Sequence, residues 1–319
     1  MEPLELFVDN QNSAKSPQPE YAKHDLKKAV LIVNTRSRQG KAAYSSVLET
    51  LRERFTLVDA HAVQTPEMAP ILAERAVKAG IPLVIIGGGD GTLSACVAPF
   101  IGSESVMGTL PLGTGNQFVR DLGLPLDIHG ACVALSEGKI AAVDVGKING
   151  EYFLTVATIG ITTRIARELT VDAKRKWGRF VYLLALLPAL KKTKPFQITI
   201  KADGELRTFQ SLQAVIGNGR FHSGPFPLAP DASITSGKLV VYALEGTSRW
   251  NLLRYVLSLP GGNQVHLQEI SCFETSEAEI TSRPIQKATV DGETHLRTPL
   301  KVRSLPGALR VIVPQNFNG

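Results

Sequence analysis

The sequence predicts an α/β protein in which an N-terminal α/β domain is followed by a second, β-rich antiparallel domain. From residue 29 to residue 110, short apolar runs alternate with helical patterns, which is typical of βαβ units and a mostly parallel sheet. After about residue 140, Asn149-Gly150 and Asp203-Gly204 each lie between alternating apolar stretches, and such pairs predict hairpins. The chain of 319 residues is long enough for two domains.

In the first domain, strands are predicted at residues 29–33, 56–63, 83–86 and 106–110. Residues 41–54 and 67–79 carry helical periodicity, and a further helix is predicted over residues 93–100. Residues 1–27 form a polar tail by composition. The predicted division is therefore a tail at 1–27, an α/β domain at 28–142 and a β-rich domain at 143–319.

The second domain is predicted to be antiparallel, with helical segments near residues 161–191 and 248–259. Its predicted strands lie at residues 211–217, 238–244, 264–273, 286–291, 299–303 and 308–313. A cleft between two unlike domains is the expected place for a substrate.

Composition and charge exclude several classes of protein. Three widely spaced cysteines support neither a disulfide framework nor a multi-cysteine zinc site, and they fit a reducing compartment. The longest apolar run, residues 180–190, is about half of what a spanning helix needs. The net charge of +6 suggests an anionic partner, although it also serves solubility. With 6% aromatic residues and no recognisable nucleic-acid motif, no nucleic-acid partner is expected.

Two glycine-rich loops follow successive predicted strands. The first is Gly87-Gly88-Gly89-Asp90-Gly91-Thr92 and the second is Pro111-Leu112-Gly113-Thr114-Gly115-Asn116. Glycines at a strand's carboxyl end let the backbone approach a ligand, and a following helix N-terminus offers N–H donors to phosphate. Ordinary βα turns are the alternative. Neither a P-loop nor a complete G-x-G-x-x-G occurs in the sequence, and this weakens both the P-loop and the Rossmann interpretation.

Polar residues also end the first two predicted strands, and Asp90 lies beside the first glycine loop. A carboxylate there repels phosphate unless a cation intervenes, so Asp90 is a candidate Mg²⁺ ligand; capping the following helix is its alternative role. The predicted nucleotide-binding residues at the four strand ends are Asn34, Thr35, Arg36, Thr65, Gly88, Gly89, Asp90, Gly91, Thr92, Gly113, Thr114 and Asn116.

In order along the chain, these segments resemble the diacylglycerol kinase catalytic family, which includes sphingosine kinases and bacterial lipid kinases. The resemblance is carried by residues 33–41, 85–93, 110–116, 143–146, 224–232 and 290–293, and it spans nearly everything after the tail. It implies an ATP-binding α/β domain, a β-rich second domain, and phosphoryl transfer to a lipid hydroxyl in the cleft between them. ATP and Mg²⁺ are the cofactors that it implies.

A lipid alcohol is a weak nucleophile and needs a carboxylate to accept its proton. Asp291 and Glu293 are the candidates, because two residues apart in an extended strand they would share one face. The family pattern implies that Asp291 is the base and that Glu293 assists. The residues alone leave open an alternative, an Asp-Gly hairpin turn with exposed acids.

The sequence departs from the family pattern at two positions. Gln117 stands where members usually have an aspartate, and an amide cannot contribute negative charge to a metal network. Ser236 stands where bacterial members have an aspartate at a structural magnesium site, so that site is not expected here.

Basic clusters flank an apolar block over residues 174–194. Such a helix suits an anionic bilayer surface, although a core helix with charged ends has the same pattern. The prediction is a cytoplasmic lipid kinase that acts at a membrane surface on a lipid substrate. An NAD kinase-like enzyme and a nucleotide- or lipid-binding protein without turnover are the alternatives. The sequence carries no signal for oligomeric state.

Overall fold

The computed structural model describes residues 26–160, 193–223, 226–227, 232–248, 250–251, 254, 270–292 and 294–319. The predicted helical segment at 161–191, most of the segment at 248–259 and most of the motif at 224–232 lie outside these residues. So do Glu293 and all but the last two residues of the basic segment at 174–194.

The first half of the chain is a parallel β-sheet with helices on both faces. Its strands are β1 (Lys28–Asn34), β2 (Thr56–Val63), β3 (Leu83–Gly88) and β4 (Val106–Pro111). Its helices are α1 (Gly40–Arg52), α2 (Met68–Lys78), α3 (Asp90–Ala95), α4 (Gln117–Asp121) and α5 (Ile128–Glu137). The strand order β4-β3-β1-β2 has all neighbours parallel, as the βαβ pattern predicts.

Alternating residues of the central strands feed two separate hydrophobic cores. Val30 and Ile32 of β1 pack in the core that α2 covers, whereas Leu31 and Val33 pack in the core that α1 and α5 cover. Both faces of the sheet are therefore buried, and this explains why β3 and β4 are apolar runs without alternation.

The second half is built from antiparallel strands around a third hydrophobic core. Those described after β4 are β5 (Lys139–Ile148), β6 (Glu151–Phe153), β7 (Val156–Gly160), β8 (Phe196–Ala202), β9 (Glu205–Gly217), β10 (Phe221–Ser223), β11 (Phe226–Pro227), β12 (Leu239–Glu245), β13 (Ile270–Thr275), β14 (Glu277–Arg283), β15 (Lys287–Val290), β16 (Thr294–Arg297) and β17 (Leu300–Val313). The predicted hairpins at Asn149-Gly150 and Asp203-Gly204 join β5 to β6 and β8 to β9, with both residues of each pair at positive φ.

One long strand, β17, joins the two halves. Its first residues pair with β14, and Val311 near its end pairs in parallel with Met107 of β4. Between these points β17 runs antiparallel to β5, with a register break between Leu305 and Leu309. The predicted boundary at residue 142 falls within β5, and the domain division stays a prediction.

The structure differs from the predicted elements in three places. The two strands predicted at 299–303 and 308–313 are the single strand β17, because the bulge around Pro306 and Gly307 interrupts the pattern without ending the strand. The helix predicted over 93–100 is instead α3, followed by a 3₁₀ turn at Ala98–Phe100. Pro99 has no N–H to donate to the Ala95 carbonyl, so the α-helical hydrogen bonds are interrupted after α3. Finally, Asp291 lies in a turn after β15 and not in an extended strand.

Candidate active site

The carboxyl ends of the four parallel strands meet at one edge of the sheet. Asn34 at the end of β1 is in register with Val63 of β2, and Val33 is in register with Gly87 of β3. Gly88 of β3 is in register with Pro111 of β4. The loops that follow these strands therefore lie side by side, where α/β proteins bind ligands.

The loop after β1 is fastened to both of its neighbours. The Asn34 side-chain amide donates to Thr92 Oγ1 at 2.9 Å, which links β1 to the first glycine loop. Both the backbone N–H and the hydroxyl of Thr35 donate to the carbonyl of Val63, at 2.9 Å and 2.8 Å. The side chains of Asn34 and Thr35 thus hold the loops in place, whereas Arg36 is exposed at the edge.

Several glycines of the two loops are required by close packing. A Cβ on Gly88 would lie 2.6 Å from Thr92 Cβ, and one on Gly113 would lie 2.4 Å from Gly89 Cα. None of these three glycines has a positive φ. The two loops pack backbone against backbone, and this gives the glycines a structural role beside the predicted ligand approach.

Asn116 shapes the second glycine loop from inside. Its φ of 49° is left-handed, a conformation that asparagine tolerates better than most residues. Its Oδ1 accepts the Gly113 N–H at 2.9 Å, and its Nδ2 lies 3.3 Å from the carbonyl of Pro111. Arg120 adds a bond from its Nε to the carbonyl of Gly115 at 3.1 Å. The Asn116 amide therefore bonds within its own loop.

Asp90 lies between the two glycine loops at the start of α3. Its Oδ1 accepts the Phe118 N–H at 3.1 Å, so it connects the first loop to α4. Burial raises the pKa of Asp90 to about 6; the backbone N–H groups of Phe118 and Gln117 act in the opposite direction, and the charge of Asp291 raises it further. Asp90 is therefore a carboxylate whose charge is poorly compensated by the protein.

Asp291 lies in the turn between β15 and β16, with a φ of 46°. Its Oδ1 accepts the N–H groups of Thr155 and Val156 at 3.0 Å and 2.8 Å and the Thr155 hydroxyl at 2.5 Å. Its Oδ2 accepts the Leu154 N–H at 2.8 Å. The backbone therefore forms the Asp-Gly turn that the sequence analysis left open as an alternative. The Asp291 carboxylate, however, is held by these hydrogen bonds and is not an exposed surface acid.

Asp90 and Asp291 belong to neighbouring elements: the Ser94 hydroxyl of α3 donates to the Tyr152 carbonyl of β6 at 3.4 Å, and the N–H of Leu154, directly after β6, donates to Asp291. Gly88, Gly89, Thr92, Gly113 and Asn116 lie in the loops that surround Asp90. Gly91 belongs to α3, directly after Asp90. Thr65 and Thr114 are exposed at the same sheet edge. Glu293 lies outside the described residues, and its assisting role stays a prediction.

Sequence reasoning missed the residues that support Asp291 and a buried aspartate, Asp144, whose carbonyl is bonded to one of them. Thr155 and Asn218 are buried polar residues, and Asn218 bonds to the segment that holds Asp291. Asp144 is 2% exposed and accepts the N–H groups of Gly237 and Gly307 at 2.6 Å and 2.8 Å. Burial raises its pKa. A lone aspartate inside the apolar strand at 143–146 was the available signal for Asp144, whereas nothing in the sequence marks Thr155.

The two departures from the family pattern have visible surroundings. Gln117 is the first residue of α4, beside the bond between Asp90 and Phe118. The Ser236 hydroxyl donates to the carbonyl of Ser233 at 3.0 Å and accepts the Lys238 N–H at 3.2 Å. Ser236 thus stabilises its own turn.

Among the described residues, no group of three or more His, Cys, Asp or Glu side chains has metal-binding geometry. Two neighbouring carboxylates still suit Mg²⁺, which commonly binds one or two carboxylates together with substrate phosphates and water. Within the described part of the chain, no helix is long and apolar enough to span a bilayer.

Comparisons with known proteins identify both halves of the chain. Residues 28–148 match the diacylglycerol kinase catalytic domain, and residues 155–313 match the YegS C-terminal NAD kinase beta sandwich-like domain. A diacylglycerol kinase of Mycobacterium tuberculosis is 27% identical over 306 residues, covering 92% of this chain and 97% of its own length. The diacylglycerol kinase of Bacillus subtilis is 25% identical over 296 residues, with coverage of 91% and 97%.

Solved structures show the same architecture. A Bacillus anthracis protein assigned as a diacylglycerol kinase superposes with a TM-score of 0.79 at 25% identity, covering 95% of this chain and 98% of that protein. The predicted fold class is confirmed. With a lipid kinase catalytic domain followed by the matching β-rich domain, the chain belongs to the diacylglycerol kinase catalytic family.

Proposed function

We propose that this protein is an ATP-dependent lipid kinase that transfers the γ-phosphate to the hydroxyl of a diacylglycerol-like lipid. The observation that carries the proposal is that α3, which begins at Asp90, bonds through Ser94 to Tyr152 of β6, directly before the segment that holds Asp291. Phosphoryl transfer needs a charge-stabilising side and a proton-accepting side in one place. The relatives named above support the lipid as acceptor.

The glycine loops provide the nucleotide side. Their glycines leave no side chain between the backbone and a bound phosphate, and the exposed Arg36, Arg38 and Lys41 supply positive charge near the end of β1. Thr65 and Thr114, exposed at the same edge, are available to contact the nucleotide. The bonds from Asn34 and Asn116 keep these loops in one conformation before ATP binds.

Asp90 is the residue that would hold Mg²⁺. Its partly buried carboxylate has a raised pKa, to which the charge of Asp291 contributes, so a cation there would relieve an existing electrostatic penalty. When bound, Mg²⁺ supplies positive charge that offsets the charge on the transferred phosphate. Gln117, being neutral, leaves Asp90 and Asp291 as the acids that the described residues bring together here.

Asp291 is the residue that would accept the proton of the lipid hydroxyl. Three of its four accepted hydrogen bonds go to Oδ1 and one goes to Oδ2, so Oδ2 keeps more of its acceptor capacity. The lipid hydroxyl would donate to Oδ2 while its oxygen attacks the γ-phosphorus. The products would be a lipid phosphate and ADP. The reaction would be a step in lipid metabolism.

The test is to incubate the protein with γ-labelled ATP, Mg²⁺ and vesicles that contain diacylglycerol, with NAD in a parallel reaction. The proposal predicts label in the chloroform-soluble lipid. Because the second domain matches a description that includes NAD kinase, label in NADP is the result that would favour the other kinase. If the protein binds ATP but labels neither the lipid nor NAD, the result would favour a nucleotide- or lipid-binding protein without turnover.

A further inference from the structure

Residues Leu154–Val156, which run from the end of β6 to the first residue of β7, form an anion-binding segment. Their three successive N–H groups all donate to one carboxylate, at 2.8 Å, 3.0 Å and 2.8 Å. Successive N–H groups converging on one anion are the arrangement known as a nest. Here the anion is Asp291, which lies 135 or more residues further along the chain.

Asp291 is fixed to this segment by its backbone as well as its side chain. Its own N–H donates to the carbonyl of Val156 at 2.8 Å. The Thr155 hydroxyl adds a fourth donor to the carboxylate. A side chain held by four donors and anchored by its backbone has little rotational freedom, although Asp291 is at a turn and only partly buried.

Asn218, directly after β9, holds the segment from behind. It is 2% exposed, and its Nδ2 donates to the carbonyls of Leu154 and Asp144 at 3.0 Å and 2.9 Å. Its backbone N–H donates to the carbonyl of Thr155 at 2.8 Å. Its Oδ1 is buried and has no hydrogen-bond partner among the described residues. Among the described residues, the Asn218 side chain therefore forms hydrogen bonds only through its NH₂ group.

We propose that Thr155 and Asn218 are positioning residues for the base, Asp291. Thr155 sets the orientation of the carboxylate directly, and Asn218 keeps the Leu154–Val156 segment in the shape that receives it. This inference rests on the role proposed above for Asp291. Thr155 and Asn218 would not touch the reacting atoms, but they would affect phosphoryl transfer through the position of Asp291.

The expected effect is on turnover and not on nucleotide binding. Misplacing a catalytic group by about 1 Å can lower the rate roughly 10²-fold. We expect Thr155→Val, which keeps the shape and removes the hydroxyl, to lower kcat about 10-fold. Thr155→Ser restores a hydroxyl and should recover most of the rate. We expect Asn218→Ala to lower kcat about 10- to 100-fold, because the Leu154 carbonyl of the segment and the neighbouring Asp144 carbonyl each lose their side-chain donor.

Ser211→Ala is the matched control. Ser211 lies on β9, the strand that ends next to Asn218; it is fully buried, and its hydroxyl donates to the carbonyl of Leu244 at 2.8 Å. The substitution therefore removes a comparable buried hydrogen bond from the same strand without touching the segment. It should lower the melting temperature and leave kcat unchanged.

The experiment measures kcat for diacylglycerol phosphorylation, the Kd for ATP and the melting temperature of all four variants. Lower kcat in Thr155→Val and Asn218→Ala, with unchanged Kd and recovery in Thr155→Ser, supports the proposal. Wild-type kcat in both variants, or a loss of kcat in Ser211→Ala as well, overturns it. If the wild-type protein labels no lipid, or if Asp291→Asn is fully active, the proposed function itself fails, and the positioning role with it.

Discussion

Asp90 and Asp291 lie in one site but in opposite surroundings. Asp90 accepts the Phe118 N–H at the junction of the glycine loops, and burial raises its pKa to about 6. Asp291 accepts four hydrogen bonds from a single segment of the β-rich half. Burial therefore dominates the environment of the Asp90 carboxylate, whereas hydrogen bonds dominate that of the Asp291 carboxylate.

The difference separates two tasks that a kinase site must perform. A carboxylate whose pKa is raised by burial is suited to a cation, because cation binding offsets the penalty of burial. A carboxylate with a fixed orientation is suited to accept a proton from one direction. The α/β half would thus supply charge for the phosphates, and the β-rich half would supply the oriented base.

The largest expected effect on turnover comes from substituting Asp291, the carboxylate that accepts four hydrogen bonds. Asp291→Asn keeps the shape but cannot accept the proton, so turnover should fall roughly 10²- to 10⁴-fold with ATP affinity unchanged. A loose transition state would place the loss at the lower end of that range. Single-turnover measurements at saturating ATP would determine it.

Asp203→Asn is the control for this prediction. Asp203 also stands before a glycine in a hairpin turn with positive φ, and its carboxylate accepts the Thr275 hydroxyl at 3.1 Å. If Asp203→Asn lowers turnover as much as Asp291→Asn does, the effect belongs to the turns in general and the base is elsewhere.

The next effect concerns the packing of the loops around Asp90. Gly113→Ala places a Cβ 2.4 Å from Gly89 Cα, where only backbone can yield. We expect a loss of about 2–4 kcal/mol of unfolding free energy, together with weaker ATP binding. Urea unfolding and nucleotide titration measure the two effects. Thr114→Ala, at the exposed neighbouring residue, should leave the unfolding free energy unchanged.

If Gly113→Ala unfolds like the wild-type protein, the two loops tolerate separation. The glycines would then be required by the ligand alone.

A smaller effect follows from the charge of Asp90. The pKa of this acid is about 6 in the folded protein and 3.8 in the unfolded chain, so the folded form holds the proton more tightly. Stability should therefore fall as the pH rises from about 4 to about 6, and Asp90→Asn should remove that loss. Without divalent cations at pH 7.5, the variant should be more stable by about 2–3 kcal/mol.

Denaturant unfolding at pH 4 and pH 7.5 is the measurement for this prediction. The advantage of Asp90→Asn should be present at pH 7.5 and nearly absent at pH 4. A variant that is less stable than the wild-type protein at pH 7.5 would mean that the Asp90 carboxylate is well compensated.

Local patterns in the sequence predict most of the part of the site that the glycine loops form. The strands, the glycine loops and Asp90 lie within about 90 consecutive residues, and parallel pairing brings their ends together by a general rule. The two Asn-Gly and Asp-Gly hairpins are equally local. The sequence pattern does not predict the packing of Gly89 against Gly113, because this contact depends on how closely the two glycine loops approach each other.

The part of the site around Asp291 is only partly predictable, because its contacts are far apart in the sequence. Asp291 was identified by family resemblance, but its donors at Leu154–Val156 are 135 to 137 residues away in the chain. No periodicity or turn rule connects segments at that separation. The same holds for Asn218, and for β17, whose continuity through a bulge depends on its long pairing with β5.

The contrast between the two carboxylates is tested most directly by calorimetric titration of Mg²⁺ with a non-hydrolysable ATP analogue. The titration compares the wild-type protein with Asp90→Asn and Asp291→Asn at pH 7.5. The structure predicts that Asp90→Asn loses most of the binding heat, whereas Asp291→Asn retains it and fails only in phosphoryl transfer. Retained binding in Asp90→Asn together with lost binding in Asp291→Asn would contradict the division of roles between the two halves.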